Sequence, residues 1–110
     1  TTARPSSLRG KHQSETGGLS GQPLKARSLE VMRKVYDLTK GRMPLIGVGG
    51  IGSAQDAIER MEAGASLIQL YTALVYEGPE LVTDILKGIL RYLDERGLQT
   101  VAELTGRTKA

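Results

Sequence analysis

The chain has 110 residues, which suffices for at most one small domain. It contains no cysteine and one histidine, so disulfides, thiolate metal sites, cysteine nucleophiles and zinc sites with two imidazoles are excluded. The net charge is +3, and the composition of 39% hydrophobic and 25% charged residues is that of a globular protein. Fourteen glycines are unusual for a core without Phe or Trp, so the chain either folds marginally or belongs to something larger.

The positive charge lies in the first 42 residues, which hold nine Lys/Arg and three acidic residues. No aromatic residues alternate with these cations, so nucleic acid is not an expected partner. No apolar run approaches the ~20 residues of a membrane span, and no signal peptide is recognisable in these 110 residues. Because the sequence opens on Thr1 rather than Met, we expect it to continue upstream.

Residues 1–27 are rich in turn formers and predict a long loop, in which Thr16–Gly21 by itself indicates only a flexible segment. The first helix is predicted from Ser28, as its N-cap, to Lys40, with Gly41 ending it. Its expected apolar stripe consists of Leu29, Met32, Val35, Tyr36 and Leu38.

Two short apolar segments, Met43–Val48 and Ser66–Leu70, predict strands that are buried on both faces. Between them, Ser53 and Asp56 predict the start of a second helix that ends at Gly64. The residues expected to face inward on this helix are Ala57, Ile58 and Met61.

A third helix is predicted from Pro79 to Gly97. Its apolar spacing comprises Leu81, Val82, Ile85, Leu86, Ile89 and Leu93. Thr100 and Glu103 predict a short capped helix in the terminal tail, residues 98–110, whose end is expected to fray.

Strands that alternate with helices over residues 28–97 predict βαβ units and a parallel sheet. Two parallel strands cannot cover their own faces and edges, so the pattern predicts a fragment of a larger α/β fold.

Glycines cluster at the end of the first strand, over Gly47–Gly52. Gly49 and Gly50 would let backbone N–H groups approach a phosphate closely, and the helix after Ser53 would add the positive end of its dipole. A tight turn that needs positive φ explains the same cluster equally well. The cluster is neither a Walker loop nor a complete dinucleotide fingerprint.

Tyr71 and Thr72 follow the next strand and precede a short helical turn. Two consecutive βα loops of this kind match the phosphate site that follows strands seven and eight of a (β/α)₈ barrel. Ordinary strand-end packing is the alternative for Tyr71.

His12 has no neighbouring carboxylate and is interpreted as a solvated loop residue. No metal-ligand spacing, paired catalytic carboxylates or nucleophile elbow is present, so no catalytic residue is predicted in this chain.

Three stretches together resemble one family: Ser14–Leu24, Pro44–Ile51 and Ala63–Leu74. They are similar to the carboxy-terminal part of class 2, quinone-dependent dihydroorotate dehydrogenase, an FMN enzyme built on a (β/α)₈ TIM barrel. The similarity extends from Thr1 to about Gly97, and the order and spacing of the stretches make it specific. It implies that residues 1–110 are the carboxy-terminal part of one barrel domain, with about its last two strands and three helices.

The resemblance also implies the residues of the site. Thr1 would match a threonine that contacts orotate, within one residue. The positions that would match FMN-binding residues are Gly21, Gly50, Tyr71 and Thr72, with Ser20 and Gly49 in the same loops. The family's serine base, flavin-contacting lysine and quinone-binding helices would lie upstream, so the chain alone is expected to be inactive and unstable.

The implied reaction of the parent protein oxidises dihydroorotate to orotate with FMN and passes electrons to ubiquinone, in pyrimidine biosynthesis. Membrane attachment would depend on the upstream region, at the mitochondrial inner membrane in a eukaryote or the cytoplasmic membrane in a bacterium. Two alternatives stay open. One is another FMN-binding barrel, such as a class 1 dihydroorotate or a dihydropyrimidine dehydrogenase, and the other is a non-catalytic phosphate-binding module.

Overall fold

The structure is a computed structural model that describes residues 9–10, 14 and 16–107. Four α-helices and two short strands form its regular structure: α1 (Lys25–Thr39), β1 (Ile46–Val48), α2 (Ala54–Glu62), β2 (Leu67–Gln69), α3 (Thr72–Glu77) and α4 (Glu80–Glu95). Single turns of 3₁₀-helix, Gln22–Leu24 and Val101–Leu104, precede α1 and follow α4.

The two strands pair in parallel, with Gly47 opposite Ile68 at the centre of the pair. Helix α2 connects them, which confirms the βαβ unit predicted from the sequence. The strands have three residues each and are shorter than the predicted Met43–Val48 and Ser66–Leu70. Both strands end at the same edge of the sheet, so the loops that follow them are neighbours.

Helix α2 begins as the sequence predicts. The Ser53 Oγ accepts a hydrogen bond from the amide of Asp56 at 3.1 Å, which satisfies one of the free N–H groups of the first turn. Ala57, Ile58 and Met61 are buried, as expected. The helix ends at Glu62, and Gly64 follows with a φ of 130°.

Helix α1 begins three residues before the predicted N-cap, so the prediction that Ser28 caps it is wrong. The chain enters the helix through the 3₁₀ turn, in which Pro23 presets the backbone. The Ser28 hydroxyl instead donates to the Val48 carbonyl at 2.8 Å and accepts from Arg60. The predicted loop over residues 1–27 therefore ends earlier than expected. Met32 of the predicted stripe is buried, but Leu38 is 82% exposed, since none of the described elements covers it near the end of α1.

The main core lies between α2 and α4. Leu81, Ile85, Ile89 and Leu93 of the predicted apolar spacing are buried against it. Val82 and Leu86, predicted on the same stripe, are 43% and 56% exposed because they lie beside the buried row rather than in it. Pro79 precedes the first helical residue, Glu80, one position from its predicted place.

The prediction that both strands are buried on both faces is wrong for this chain. Ile46 and Leu67 lie opposite each other in the two strands, and they are 55% and 62% exposed. The described sheet has two strands, and α2 covers only one of its faces. Side chains alternate between the faces of a strand, so the second face stays open.

The segment after α4 folds back onto the core. Thr100 and Glu103 form the predicted capping box around the second 3₁₀ turn, and Leu104 is fully buried. Hydrogen bonds from the backbone N–H groups of Gln99 and Thr100 hold the pKa of Glu103 below its ordinary value. Residues 108–110, which were expected to fray, lie outside the described residues.

Candidate functional site

A cleft of about 720 Å³ lies at the carboxyl ends of β1 and β2. The loops after the two strands form two of its sides, and the segment that leads into α1 forms another. The cleft is lined by all six residues singled out from the sequence: Ser20, Gly21, Gly49, Gly50, Tyr71 and Thr72. The structure therefore brings together residues that are up to 52 positions apart in the sequence.

Gly50 allows the glycine loop to lie directly against the start of α1. Its φ is 71°, a left-handed conformation that side chains rarely adopt. A Cβ added at this position would lie 2.6 Å from the backbone N and Cα of Lys25. The glycine cluster therefore forms a tight turn, as one of the two interpretations predicts. A tight turn does not exclude a ligand site, because Gly50 also lines the cleft.

Two hydroxyl groups join the opposite sides of the cleft. Ser20 Oγ and Thr72 Oγ1 are 2.7 Å apart, within hydrogen-bond distance. Gly21 lies next to this pair with a φ of 88°, and a Cβ there would approach the Thr72 methyl group to 3.1 Å. The Ser20–Thr72 contact thus fixes the distance between the segment before α1 and the loop after β2.

The cleft offers neutral hydrogen-bond donors. Within the described part of the chain, the amides of Gly50 and Thr72 donate to no other group. Among the described residues that line the cleft there is no lysine or arginine, and Glu77 is the single carboxylate. Glu77 is five residues beyond Thr72 on α3, an axial separation of about 7.5 Å. Backbone amides and hydroxyls that converge without a nearby negative charge can hold an anion such as a phosphate.

A charged network, which the sequence analysis missed, fixes one wall of the cleft. The Asp56 carboxylate lies 2.5 Å from Lys25 Nζ. It also accepts hydrogen bonds from the amide of Gly52 at 3.0 Å and from Gln22 Nε2 at 3.4 Å. Burial raises the pKa of Asp56, but the hydrogen bonds from Lys25, Gly52 and Gln22 outweigh it and hold that pKa below its ordinary value. The hydrogen bond to Asp56 raises the pKa of Lys25 in return.

Arg60 is the second residue that the sequence analysis missed. Its side chain is buried behind the glycine loop, and its guanidinium donates to the Gly49 carbonyl at 2.9 Å. The signal for it was present: Ala57, Arg60 and Met61 have the i, i+3, i+4 spacing of one helix face, and that face is apolar except at Arg60. An arginine at a core position of a helix marks a buried polar contact.

Two residues considered in the sequence analysis, Thr1 and His12, lie outside the described residues, so their roles stay predictions. Among the described residues, no group of three His, Cys, Asp or Glu side chains could hold a metal ion. Within the same residues, no helix combines the length and the apolar character needed to cross a bilayer.

Comparison with known proteins gives consistent matches. The family model for dihydroorotate dehydrogenase matches residues 1–93. The chain is 55% identical over 106 residues to a dihydroorotate dehydrogenase (quinone) of Rhodospirillum rubrum, covering 96% of this chain and 29% of that protein. It is 50% identical over 106 residues to the mitochondrial dihydroorotate dehydrogenase (quinone) of Mus musculus, covering 96% of this chain and 27% of that protein.

Solved structures are similar over the same extent. A ligand-free DHODH of Eimeria tenella superimposes with a TM-score of 0.85 at 39% identity, covering 96% of this chain and 29% of that one. The DHODH of the same organism in complex with ferulenol gives a TM-score of 0.86 at 38% identity, covering 99% and 29%. The predicted fold class is thereby confirmed: the chain folds as part of an α/β barrel, and it spans less than a third of the length of the relatives it matches.

Proposed function

The chain belongs to the dihydroorotate dehydrogenase family, and we propose that it forms the phosphate-binding part of the FMN site in a quinone-dependent member. The relatives are three to four times longer, so the activity is proposed for the longer protein that contains this chain. In that protein dihydroorotate is oxidised to orotate and the electrons pass to ubiquinone. The identity of 50–55% with enzymes named dihydroorotate dehydrogenase (quinone) supports this choice over a class 1 enzyme.

The observation that carries the proposal is the convergence of free donors in the cleft. The amides of Gly50 and Thr72 follow consecutive strands and have no partner within the described chain. The Ser20–Thr72 hydroxyl pair lies beside them. Such a donor set suits the phosphate of FMN, and the predominantly apolar remainder of the lining suits the uncharged part of the cofactor.

Bound FMN supplies the chemistry of hydride acceptance from dihydroorotate and electron transfer to the quinone. The residues of this chain would bind the cofactor and orient it. Gly50 and Thr72 would donate hydrogen bonds to the phosphate, Gly21 would allow close approach of the backbone, and Tyr71 would cover the outer side. The Tyr71 side chain lines the cleft and is 76% exposed.

Thr1 is proposed to contact orotate, and the proton-accepting group and quinone site are proposed to lie in the rest of the longer protein. This division predicts that the 110-residue chain alone is inactive. Membrane association would likewise depend on other parts of the protein. Relatives include a mitochondrial enzyme of the mouse and enzymes of bacteria. The proposed location is accordingly the mitochondrial inner membrane in a eukaryotic host and the cytoplasmic membrane in a bacterial one.

The experiment that tests the proposal uses the full-length protein that contains this chain. The purified protein should release close to one FMN per chain on denaturation. It should form orotate from dihydroorotate with a short-chain ubiquinone as acceptor, and much more slowly with fumarate or NAD⁺. Absence of flavin together with absence of orotate formation would contradict the proposal, and a preference for fumarate or NAD⁺ would favour a class 1 enzyme.

The isolated chain serves as the matched control. It should form no orotate under the conditions in which the full-length protein is active. Orotate formation by the isolated chain would contradict the assignment of the proton-accepting group to the rest of the protein.

A further inference from the structure

Arg60 is a buried cation whose described hydrogen-bond partners are neutral groups. Its side chain is 1% exposed, and among the described residues it forms no ion pair. Its Nη1 donates to Ser28 Oγ at 2.6 Å and to the Val48 carbonyl at 3.1 Å, and its Nη2 donates to the Gly49 carbonyl at 2.9 Å. Nε has no partner. The Asp56 carboxylate stabilises this charge electrostatically without forming an ion pair with it. A buried charge whose hydrogen-bond partners are all neutral is costly, which indicates a role beyond packing.

The two carbonyl contacts fix the direction of the glycine loop. The carbonyl of Gly49 and the amide of Gly50 belong to one peptide group, and the described chain has no cis peptide bonds. In a trans peptide the C=O and N–H bonds point in opposite directions. Because Arg60 binds the oxygen of this group, the Gly50 N–H points away from Arg60. Gly50 lines the cleft, whereas Arg60 does not.

Close contacts also fix the aliphatic part of the Arg60 side chain. A Cβ added at Gly47 of β1 would collide with the Arg60 Cγ, so the strand passes directly over the arginine side chain. Ser28 of α1 holds the same guanidinium from another side. Elements on both sides of the loop therefore fix the position of the cation.

We propose that Arg60 is a positioning residue for phosphate recognition. It orients the Gly50 amide toward the cleft. Its positive charge, which the described cleft lining lacks, acts on the phosphate through the intervening peptide groups. This inference rests on the proposed function, since it concerns the phosphate end of FMN. A hydrogen bond from a cation to a carbonyl oxygen polarises the whole peptide group and strengthens its N–H as a donor. The bound phosphate dianion and Arg60 then stabilise each other without direct contact.

The test compares FMN with riboflavin, which lacks the phosphate, in the full-length apoprotein. Flavin fluorescence quenching gives the two dissociation constants. Arg60→Met keeps an unbranched stem and removes the charge, and it should raise the dissociation constant of FMN about 10- to 100-fold, as loss of a supporting contact does in other sites. The constant for riboflavin should change less than about threefold. Arg33→Met, on the exposed side of α1, is the matched control and should change neither.

A purely structural role would weaken both flavins by the same factor, and that result would overturn the inference. If Arg60→Met does not fold, two milder variants decide. Arg60→Lys keeps the charge and should retain most of the preference for FMN, and Ser28→Ala removes one partner of the guanidinium and should reduce that preference several-fold. Unchanged preference in Ser28→Ala, or a complete loss of it in Arg60→Lys, would overturn the inference.

The wild-type result separates this inference from the proposed function. If the wild-type protein binds neither flavin, the proposed function is wrong. If it prefers FMN over riboflavin and the Arg60 and Ser28 variants keep that preference, only the role of Arg60 is wrong.

Discussion

Gly50→Ala is predicted to be much more destabilising than an equivalent change at another glycine of the same conformation. Gly50 has a φ of 71°, and an added Cβ would lie 2.6 Å from the N and Cα of Lys25. Because these are backbone atoms of α1, no side-chain rotation can relieve the overlap. Gly97 has a φ of 67° and nothing within 4 Å of an added Cβ, so it is the matched control.

The two substitutions share one cost and differ in another. A left-handed residue with a side chain costs about 1–2 kcal/mol at either position. Overlap with fixed neighbours adds about 1–3 kcal/mol at Gly50 alone. Gly97→Ala should therefore lower the free energy of unfolding by about 1–2 kcal/mol, and Gly50→Ala by about 2–5 kcal/mol.

Urea denaturation of the full-length protein measures this difference. FMN is removed first, because a ligand that binds the folded state adds its own stabilisation. The free energies of unfolding are then compared by linear extrapolation. A difference between the two variants below about 0.5 kcal/mol would show that the glycine loop is not in fixed contact with α1.

Substitutions at Asp56, Tyr92 and Thr72 test single contacts of the structure. Asp56→Asn should lower the free energy of unfolding at pH 7 by about 1.5–3 kcal/mol, since it weakens charge-assisted hydrogen bonds. The pKa of Asp56 is below its ordinary value of 3.8. The difference in stability should therefore persist above pH 4 and disappear as the pH falls through the lower folded-state pKa. A difference that does not depend on pH would contradict this prediction. Tyr92→Phe removes a hydrogen bond of 2.5 Å to Glu62 and should cost about 1 kcal/mol at pH 7. That hydrogen bond raises the pKa of Tyr92 above 10.0, so the stabilisation should be complete below pH 10 and vanish above the raised pKa in alkaline denaturation. Thr72→Val should weaken FMN binding roughly tenfold in fluorescence titration, which is about 1.4 kcal/mol. The control variant Thr83→Val, on the exposed side of α4, should leave FMN binding unchanged. Equal affinities of the two variants for FMN would exclude a role for the Thr72 hydroxyl.

Local signals predicted the elements that depend on neighbouring residues in the sequence. Ser53 and Asp56 begin α2, and Thr100 and Glu103 cap the last turn, because these hydrogen bonds join residues three positions apart. The prediction for Ser28 is wrong because a serine that caps a helix has the same sequence signature as one that binds a distant carbonyl. Its partners, Val48 and Arg60, are 20 and 32 positions away.

The candidate site was predicted as a set of positions but not as a network. The six cleft residues stand in recognisable segments, and the structure places them together. The contacts that hold those segments, from Asp56 to Lys25 and from Arg60 to the glycine loop, connect separate elements and carry no periodic signature. The exposure of Ile46 and Leu67 was missed for a related reason. A pattern of apolar residues shows that a face is suited to burial, but not which segment covers it.

We propose that this chain holds the phosphate of FMN between the glycine loop after β1 and the start of α3. A crystal structure of the full-length protein with bound FMN would show where the phosphate lies. We predict that the phosphate oxygens lie within hydrogen-bond distance of the Gly50 and Thr72 amides, with the Arg60 guanidinium on the carbonyl side of the loop. A phosphate bound elsewhere, or a Gly50 amide turned away from it, would contradict the account.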